Sequence, residues 1–281
     1  MIDLSGKVAI VTGGASSHGA EMWDRPGQGS ETARLLAELG AAVVLADIDG
    51  SAAERRAAEV RVAGGEAIGV AVDVRDEGQV KAMVEATVKA FGRLDILHNN
   101  AAELAHLYDP GDPEICKFEV DTWHIVTETM LLGSMLCCKH AIPAMVEGGG
   151  GSIVCMTSVS GQIGELNLTV YGIAKAAINQ LVRAVSTQWG KHGVRCNAVA
   201  PGMVLTPPSL LAGEAVAAAY ARHSDTTYVA DPIDTARVVA FLASDDSRMI
   251  TGQVIRADGG LATQSSLVAD ARETGQMAGG S

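Results

Sequence analysis

The sequence predicts an α/β fold, a doubly wound parallel sheet of about seven strands with helices on both faces. Apolar strand-like segments and amphipathic helix-like segments alternate from Lys7 to about Gly260. Several strand candidates are unbroken apolar runs, which is typical of strands covered by helices on both sides. No Pro/Ser-rich linker or charge run divides the series. We therefore expect one domain over residues 1–261, followed by a flexible or subunit-contacting tail over 262–281.

The individual elements follow from local patterns along the chain. Short runs rich in Val, Ile and Ala predict strands at Val8–Val11, Val43–Ala46, Ala67–Ala71, Ile96–His98, Ser152–Met156, Arg195–Val199 and Gln253–Arg256. Helical periodicity predicts helices near Glu31–Leu39, Ala52–Val62, Glu77–Phe91, Trp123–Met145, Val170–Lys191 and Pro232–Ala243. The stretch Met203–Ala230 breaks the alternation and predicts a loop with a short helix. Such a long excursion in a compact domain is commonly a lid, so we expect a substrate lid at about 203–230.

Composition limits the classes of partner. The chain has 21 basic and 33 acidic residues, which argues against nucleic acid and anionic membranes as partners. No apolar run reaches the ~18 residues of a membrane span, and the N-terminus does not resemble a signal peptide. Five cysteines without metal-type spacing fit a reducing cytoplasm. We expect a cytoplasmic protein without a metal site.

A glycine-rich turn follows the first strand, and the helix after it decides where the turn ends. If the turn ended at Gly19, the helix would contain Pro26 and two glycines, at a cost of ~3 kcal/mol for the proline and ~1 for each glycine. If it ends at Gly27-Gln28-Gly29, an uninterrupted amphipathic helix runs to Gly40, a residue type that favours helix ends. The second alternative is favoured. It makes Ser17–Pro26 an insertion within the turn.

This strand–turn–helix unit is typical of a dinucleotide site. Backbone N–H groups at Gly13, Gln28 and Gly29 can approach a pyrophosphate at the helix N-terminus. Asp47 ends the second strand, where a carboxylate accepts hydrogen bonds from ribose hydroxyls; the alternative role is a helix cap. A 2′-phosphate beside Asp47 would cost ~4 kcal/mol for one like-charge pair at an effective dielectric near ~20. Because no basic residue lies nearby in sequence, NAD is the favoured cofactor.

Further motifs follow in a characteristic order. They are "DV" at Asp73-Val74, "NNAA" at Asn99–Ala102, Ser158 thirteen residues before "YGIAK" at Tyr171–Lys175, "APG" at Ala200–Gly202 and "ITGQVIRADGG" at Ile250–Gly260. With the glycine turn, they resemble the short-chain dehydrogenase/reductase family over about Leu4 to Gly260. The resemblance implies a Rossmann-like fold and an NAD-dependent oxidoreductase for a small-molecule alcohol or ketone. It also implies a homo-oligomer, often a tetramer formed through the two long helices and the last strand.

The chemistry of the "YGIAK" segment can be argued from its residues. Tyr171 and Lys175 lie four positions apart and share a helix face, although an isolated Tyr/Lys pair is ordinarily a surface contact. Lowering a tyrosine pKa by ~3 units requires about 4 kcal/mol, which a neighbouring ammonium and a nicotinamide cation can supply. The phenolate then takes the alcohol proton as hydride leaves. The resemblance makes Tyr171 the acid/base, Lys175 its activator and ribose ligand, and Ser158 the hydrogen-bonding partner of the substrate oxygen.

The resemblance also supplies the rest of the cofactor site. Asp73 is expected near the adenine, and Thr206 matches the position that often bonds the carboxamide. The full set of cofactor contacts expected beyond the glycine turn and Asp47 is Ile48, Asp73, Val74, Asn99, Ala101, Tyr171, Lys175, Pro201, Gly202, Val204 and Thr206.

Two features depart from the family pattern. In "WHIVTETMLLG", Met130 stands where many relatives carry an asparagine that holds a proton-relaying water, and a thioether is only a weak acceptor. Backbone groups with Thr127 or Thr129 replace it, or turnover is reduced. The insertion Ser17–Pro26 is either a flap over the site or an outward surface loop.

Three functions remain open from the sequence. The first is an NAD-dependent dehydrogenase for a hydrophobic cyclic or aromatic secondary alcohol, because the expected substrate-contacting stretches Glu103–Asp109, Val159–Leu166 and Met203–Tyr228 are mainly apolar. The second is a 3-oxoacyl-thioester reductase, which a net charge of −12 disfavours because an acyl carrier is itself acidic. The third is a catalytically silent NAD-binding protein, motivated by Met130 and the insertion.

Overall fold

The fold is a seven-stranded parallel sheet covered by helices on both faces, as the sequence predicts. A computed structural model describes residues 2–15, 26–103, 111–210 and 213–275. The strands are β1 (Val8–Thr12), β2 (Ala42–Asp47), β3 (Ala67–Ala71), β4 (Ile96–Asn99), β5 (Gly151–Met156), β6 (Val194–Pro201) and β7 (Val254–Ala257). The helices are α1 (Gln28–Glu38), α2 (Gly50–Val62), α3 (Glu77–Phe91), α4 (Val120–Thr127), α5 (Gly133–Glu147), α6 (Thr169–Trp189), α7 (Pro207–Leu210), α8 (Glu214–His223), α9 (Pro232–Ala243) and α10 (Val268–Thr274).

The strand order places a ligand crevice at the centre of the sheet. The order is β3-β2-β1-β4-β5-β6-β7, so β1 pairs with β2 on one side and with β4 on the other. The chain winds outward in both directions from this point. In such sheets, ligands bind outside the carboxyl ends of the strands where the winding direction reverses.

Two apolar layers fix the helices to the sheet. On one face, α3, α5 and α6 pack on the strands, with fully buried side chains such as Met83, Met145 and Ile178. On the other face, α1 and α9 pack through small and medium side chains such as Leu36 and Ala240. Because both sheet faces are covered, β1 and most of β2 and β5 are apolar, which explains the nearly unbroken apolar runs in the sequence.

One helix exceeds the length that the sequence indicated. α4 and α5 are joined by a π-helical turn, Glu128–Leu132, into a continuous helix from Val120 to Glu147. Within the described ranges, this is the one helix long and apolar enough to cross a membrane, which corrects the expectation that no segment reaches that length. Half of its most apolar window is buried inside the fold. Packing against the sheet therefore accounts for its apolar character.

The excursion after β6 carries two helices and is closed at its base. Val204 forms an isolated parallel bridge with Ala230, and α7 and α8 lie between these residues. The C-terminal helix α10, which the sequence did not predict, packs on α8. Arg222 of α8 lies 3.2 Å from Glu273, and Arg272 pairs with Asp225 just beyond α8. The part of the expected tail up to residue 275 thus contacts the excursion after β6, and residues 276–281 lie outside the described ranges.

Candidate active site

The glycine turn has the geometry that the helix argument predicted. α1 begins at Gln28 with Gly27 as its N-cap. A Cβ on Gly29 would lie 2.1 Å from the Gly13 carbonyl oxygen, and Gly13 itself has a left-handed φ of +62°. Both positions therefore require glycine, and the start of α1 approaches the backbone of the turn closely. Nine of the ten residues of the insertion, Ser17–Pro26, lie outside the described ranges.

Two residues that sequence reasoning missed hold this turn. The Thr12 hydroxyl accepts hydrogen bonds from the backbone N–H groups of Asn100, at 3.0 Å, and Ala101, at 3.1 Å. The Asn100 amide donates to the carbonyl oxygens of Thr12 and Gly13, at 3.0 and 3.1 Å. The end of β4 is thereby tied to the end of β1. The sequence shows Asn100 as part of the "NNAA" motif, but it does not show that the side chain faces the glycine turn.

Asn99, which the resemblance places beside the cofactor, has its side chain in the helix layer on one face of the sheet. Its amide donates to the Ser134 carbonyl of α5 at 3.3 Å, and the side chain is buried. Successive side chains of a strand point to opposite faces, so Asn99 faces the helix layer while Asn100 faces the turn. The Asn99 side chain therefore supports the packing of α5 on β4 and is directed away from the crevice.

Asp47 lies at the carboxyl end of β2, beside the glycine turn. Its carboxylate accepts from the backbone N–H of Ala15 at 3.0 Å and of Asp49 at 3.1 Å, and only 7% of the residue is exposed. The helix cap is instead Asp49, which accepts from the Ala52 N–H at 2.9 Å at the start of α2. Ile48 lies between the two aspartates and is 66% exposed. A negative charge and an apolar surface thus lie together at this edge.

The neighbouring edge beyond β3 carries the "DV" pair. The Arg75 guanidinium binds both oxygens of Asp73, at 2.7 to 3.1 Å, and holds the pKa of that carboxyl below its usual range. Arg75 is thereby committed to Asp73. Val74 is buried against Gly133, where a Cβ would lie 2.7 Å from the Val74 side chain. This contact explains why residue 133, three positions after Met130, is a glycine, as in the family pattern.

Tyr171 and Lys175 lie on the first turns of α6. The Lys175 ammonium donates to the Met156 carbonyl at the end of β5, at 2.9 Å, and lies 5.4 Å from the centre of the Tyr171 ring. Lys175 is only 3% exposed, and this burial lowers its pKa to about 8. The sequence prediction that the two side chains share a face is confirmed.

Ser158 is brought to this pair by an unusually close turn. It caps the 3-10 turn Val159–Gly161, and its hydroxyl accepts from the Ser160 N–H at 3.2 Å. A Cβ on Gly172 would lie 2.9 Å from the Ser160 carbonyl, and one on Gly161 would lie 2.8 Å from the backbone of α6. The serine turn therefore rests directly on the helix that carries Tyr171 and Lys175.

Asp112 is a further residue of this region that the sequence did not reveal. It is buried, and its two carboxylate oxygens accept from the N–H groups of Val170, at 3.0 Å, and Tyr171, at 2.8 Å. A carboxylate at a helix N-terminus satisfies free donors and complements the helix dipole. Asp112 thus anchors the turn of α6 that presents Tyr171.

Met130 lies inside the π-helical turn. Its side chain is fully buried in the apolar layer, and its carbonyl accepts from the Ser134 hydroxyl at 2.6 Å. Thr127, one of the two threonines considered as replacements for asparagine, donates its hydroxyl to the Trp123 carbonyl at 2.6 Å. Its hydroxyl proton is therefore committed to its own helix. π-Turns are frequent at functional sites, and the sequence pattern of this helix does not reveal one.

The excursion after β6 begins at Pro201 and Gly202, at the end of that strand. Val204 is buried at its base, and the Thr206 N–H donates to the Ser209 hydroxyl at 2.9 Å. A cavity of about 290 Å³ lies between this excursion and the end of β7, lined in part by Met203, Tyr220, Tyr228 and Asp258. No group of three or more His, Cys, Asp or Glu suited to a metal ion occurs among the described residues.

Comparison with known proteins decides the family. A family model described as "Enoyl-(Acyl carrier protein) reductase" matches residues 24–262. A probable short-chain type dehydrogenase/reductase of Bradyrhizobium diazoefficiens is 40% identical over 259 residues, which cover 92% of this chain and 88% of the relative. The chain belongs to the short-chain dehydrogenase/reductase family.

Two other relatives of this short-chain dehydrogenase/reductase have more specific names. The cis-4-hydroxycyclohexanecarboxylate dehydrogenase of Sinomonas cyclohexanicum is 39% identical over 90% of this chain and 96% of its own length. A solved 7-alpha-hydroxysteroid dehydrogenase complexed with NADH and 7-oxo glycochenodeoxycholic acid superimposes with a TM-score of 0.82 at 28% identity, covering 92% of this chain and 95% of that one. The protein is therefore an oxidoreductase of the short-chain dehydrogenase/reductase type.

Proposed function

We propose that this short-chain dehydrogenase/reductase uses NAD to oxidise a hydrophobic cyclic or aromatic secondary alcohol to its ketone. The observation that carries the proposal is the buried Lys175 ammonium, 5.4 Å from the Tyr171 ring, on the helix where the Ser158 turn rests. The site lies at the carboxyl ends of the central strands, and these ends form the ligand crevice of a doubly wound sheet.

The described residues fit a dinucleotide. The glycine turn admits a close approach of a pyrophosphate to the start of α1, where the buried side-chain oxygen of Gln28 has no hydrogen-bond partner in the described part of the chain. Exposed Ile48 offers an apolar surface for an adenine beside Asp47.

The choice of NAD over NADP rests on charge. Asp47, the residue proposed to bind the adenosine ribose, is a buried carboxylate, and a 2′-phosphate beside it would meet a like charge. Arg75, the basic residue beyond the next strand, is already bound by Asp73. Support for a 2′-phosphate from this residue would require breaking that ion pair.

Each site residue has a distinct task in the proposed reaction. When bound, NAD supplies the hydride acceptor. Tyr171 takes the proton of the alcohol, and the ammonium of Lys175 favours its phenolate form. Ser158 holds the substrate oxygen, and Asp112 fixes the backbone of Tyr171. The Asn99 side chain, directed into the helix layer, is not assigned a contact with the cofactor.

The proposed substrate class rests on the relatives and on the site. The two relatives described above are named for a hydroxycyclohexane carboxylate and for a hydroxysteroid, both cyclic. Ile163 and Leu166, in the loop after the Ser158 turn, are 40% and 97% exposed and offer an apolar surface. A homo-oligomer is supported by three large apolar side chains that are exposed on the long helices, Trp123, Met135 and Ile173. We propose that the enzyme works in the cytoplasm.

The test is an assay of NAD and NADP reduction with a panel of cyclic, aromatic and acyclic secondary alcohols. We expect turnover with NAD, and a loss of ~10² to ~10⁴ fold in kcat for Tyr171→Phe because acid–base catalysis contributes that much. Lys175→Met should lose activity as well, whereas Lys191→Met, at an exposed lysine, should keep it. Unchanged activity in Tyr171→Phe would refute the mechanism.

Two other functions give different results in this assay. A 3-oxoacyl-thioester reductase is favoured by the description of the matching family model, and it would reduce acetoacetyl thioesters with NADPH in preference to oxidising alcohols. A silent NAD-binding protein is favoured by buried Met130 at the usual asparagine position, and it would bind NAD without turning over any alcohol.

A further inference from the structure

One residue beside the active site has a strained backbone. Among the described residues other than glycine, only Leu168 has a left-handed φ, at +61°. This conformation brings the Cβ of a bulky residue close to the backbone, so glycine and asparagine adopt it far more readily than leucine. Strain of this kind persists only where the surrounding contacts hold it, and it is frequent at functional sites. None of the tasks assigned above uses Leu168.

Hydrogen bonds on both sides fix the backbone of Leu168. Its N–H donates to the Asp112 carbonyl at 2.7 Å, and its carbonyl accepts from the Gly172 N–H at 2.8 Å in the first turn of α6. The Asp112 carboxylate holds the next N–H groups, those of Val170 and Tyr171. Residue 168 takes part in this arrangement through backbone atoms alone, so any residue that tolerates a left-handed φ can replace it there. The hydrogen bonds therefore explain the conformation but not the leucine side chain.

Helical spacing places Leu168 on the catalytic face of α6. Leu168, Tyr171 and Lys175 occupy positions i, i+3 and i+7, which lie on one side of a helix. Leu168 is partly exposed, and the described members of the two apolar layers on the sheet do not include it. It follows the exposed Leu166 in the loop that leads from the Ser158 turn to α6. A branched apolar side chain is thus expected at the edge of the crevice, one helical turn from the Tyr171 phenol.

We infer that Leu168 is a specificity-determining residue whose side chain contacts the apolar ring of the substrate while Tyr171 takes the proton of the substrate hydroxyl. The inference rests on the proposed function, since it takes Tyr171 as the base and a cyclic alcohol as the substrate. An apolar contact of this kind binds the alcohol and the transition state equally, so it lowers KM and leaves kcat unchanged. Glycine or asparagine at this position would relieve the strain and lose the contact.

Two substitutions separate the role of the side chain from that of the backbone. Leu168→Asn has a similar size and adopts the left-handed conformation more readily, but it presents an amide to the substrate ring. Leu168→Met keeps a flexible apolar side chain and relieves no strain. Leu267→Asn is the matched control, because Leu267 is the N-cap of α10, is exposed and has an ordinary φ of −87°.

Initial rates of NAD reduction with varied cyclohexanol give KM and kcat, and thermal unfolding gives the melting temperature. In Leu168→Asn we expect KM for cyclohexanol to rise about tenfold, the scale of one lost apolar contact in a pocket, with kcat within about twofold of wild type. The melting temperature of this variant should equal or exceed that of the wild type, because the strain is relieved. Leu168→Met should keep KM within about threefold of the wild-type value, and Leu267→Asn should leave both constants unchanged.

The results distinguish this inference from the proposed function. A lower melting temperature in Leu168→Asn, with losses in both KM and kcat, would show that the side chain serves packing and would overturn the inference. An unchanged KM in that variant, or an equal rise of KM in Leu168→Met, would overturn it too while leaving the proposed function intact. Wild-type enzyme that does not oxidise cyclohexanol would contradict the proposed substrate class and this inference with it.

Discussion

Removing the carboxylate of Asp112 should destabilise the protein and impair catalysis together. In Asp112→Ala, the buried N–H of Val170 and the partly buried N–H of Tyr171 lose their acceptors, which lie at 3.0 and 2.8 Å. Loss of a helix cap costs roughly 0.5–2 kcal/mol, and a buried unsatisfied donor costs roughly 1–3, so we expect about 2–4 kcal/mol. Asp112→Asn keeps one acceptor oxygen and should cost about half as much.

Urea unfolding followed by circular dichroism measures the stability of the two variants. Asp76→Ala is the matched control, because Asp76 caps α3 at an exposed position and should cost about 1 kcal/mol without affecting turnover. The kcat/KM of Asp112→Ala should fall by about 10²-fold if the first turn of α6 shifts by ~1 Å. If Asp112→Ala is no less stable than Asp76→Ala and keeps full activity, the role given to Asp112 is refuted.

Three further predictions concern buried charge and close packing. Lys175 loses its proton at about pH 8 in the fold but near ~10.4 when unfolded, so stability should rise with pH between these values. Lys175→Met should abolish that rise and stabilise the cofactor-free protein at pH 7 by about 3 kcal/mol in urea titrations, the scale of a pKa difference of ~2.4 units. Burial lowers the pKa of His98 to about 4. Below about pH 6.5 the unfolded chain therefore binds a proton at His98 that the folded chain does not, and the free energy of unfolding should fall by about 3 kcal/mol toward pH 4. This loss of stability at low pH should be smaller in His98→Asn, and a pH profile identical to that of the wild type would contradict the prediction. Gly29→Ala should lower thermal stability and NAD affinity, because the new Cβ would meet the Gly13 backbone. Gly190→Ala is the control and should be neutral, because Gly190 has a φ of −58° and open space around it. Similar melting temperatures for the two variants would count against the turn geometry.

Periodicity predicts the elements of this chain well because both sheet faces are covered. The unbroken apolar runs correspond to β1, β2 and β5, and the proline and glycines of the insertion place the start of α1 at Gln28. The spacing of Tyr171 and Lys175 likewise predicts a shared helix face, since positions four apart meet on any α-helix. These are local properties that one stretch of sequence contains in full.

The remaining features depend on contacts that are distant in sequence. Asp112 binds backbone groups 58 and 59 residues further along the chain, and no local pattern relates the two places. The opposite directions of Asn99 and Asn100 depend on where β4 ends. α10 is stabilised by ion pairs with α8 and with Asp225, because its own seven residues are too few for an independent helix.

The attachment of α10 to α8 has a practical consequence for handling the enzyme. The ion pairs of Arg222 and Arg272 join α10 to α8 and to Asp225, so a protein or peptide fused directly after α10 would be linked to the wall of the cavity beside β7. An affinity tag placed ahead of β1 avoids this part of the molecule. Kinetic constants obtained with the two placements should be compared before any value is attributed to the native enzyme.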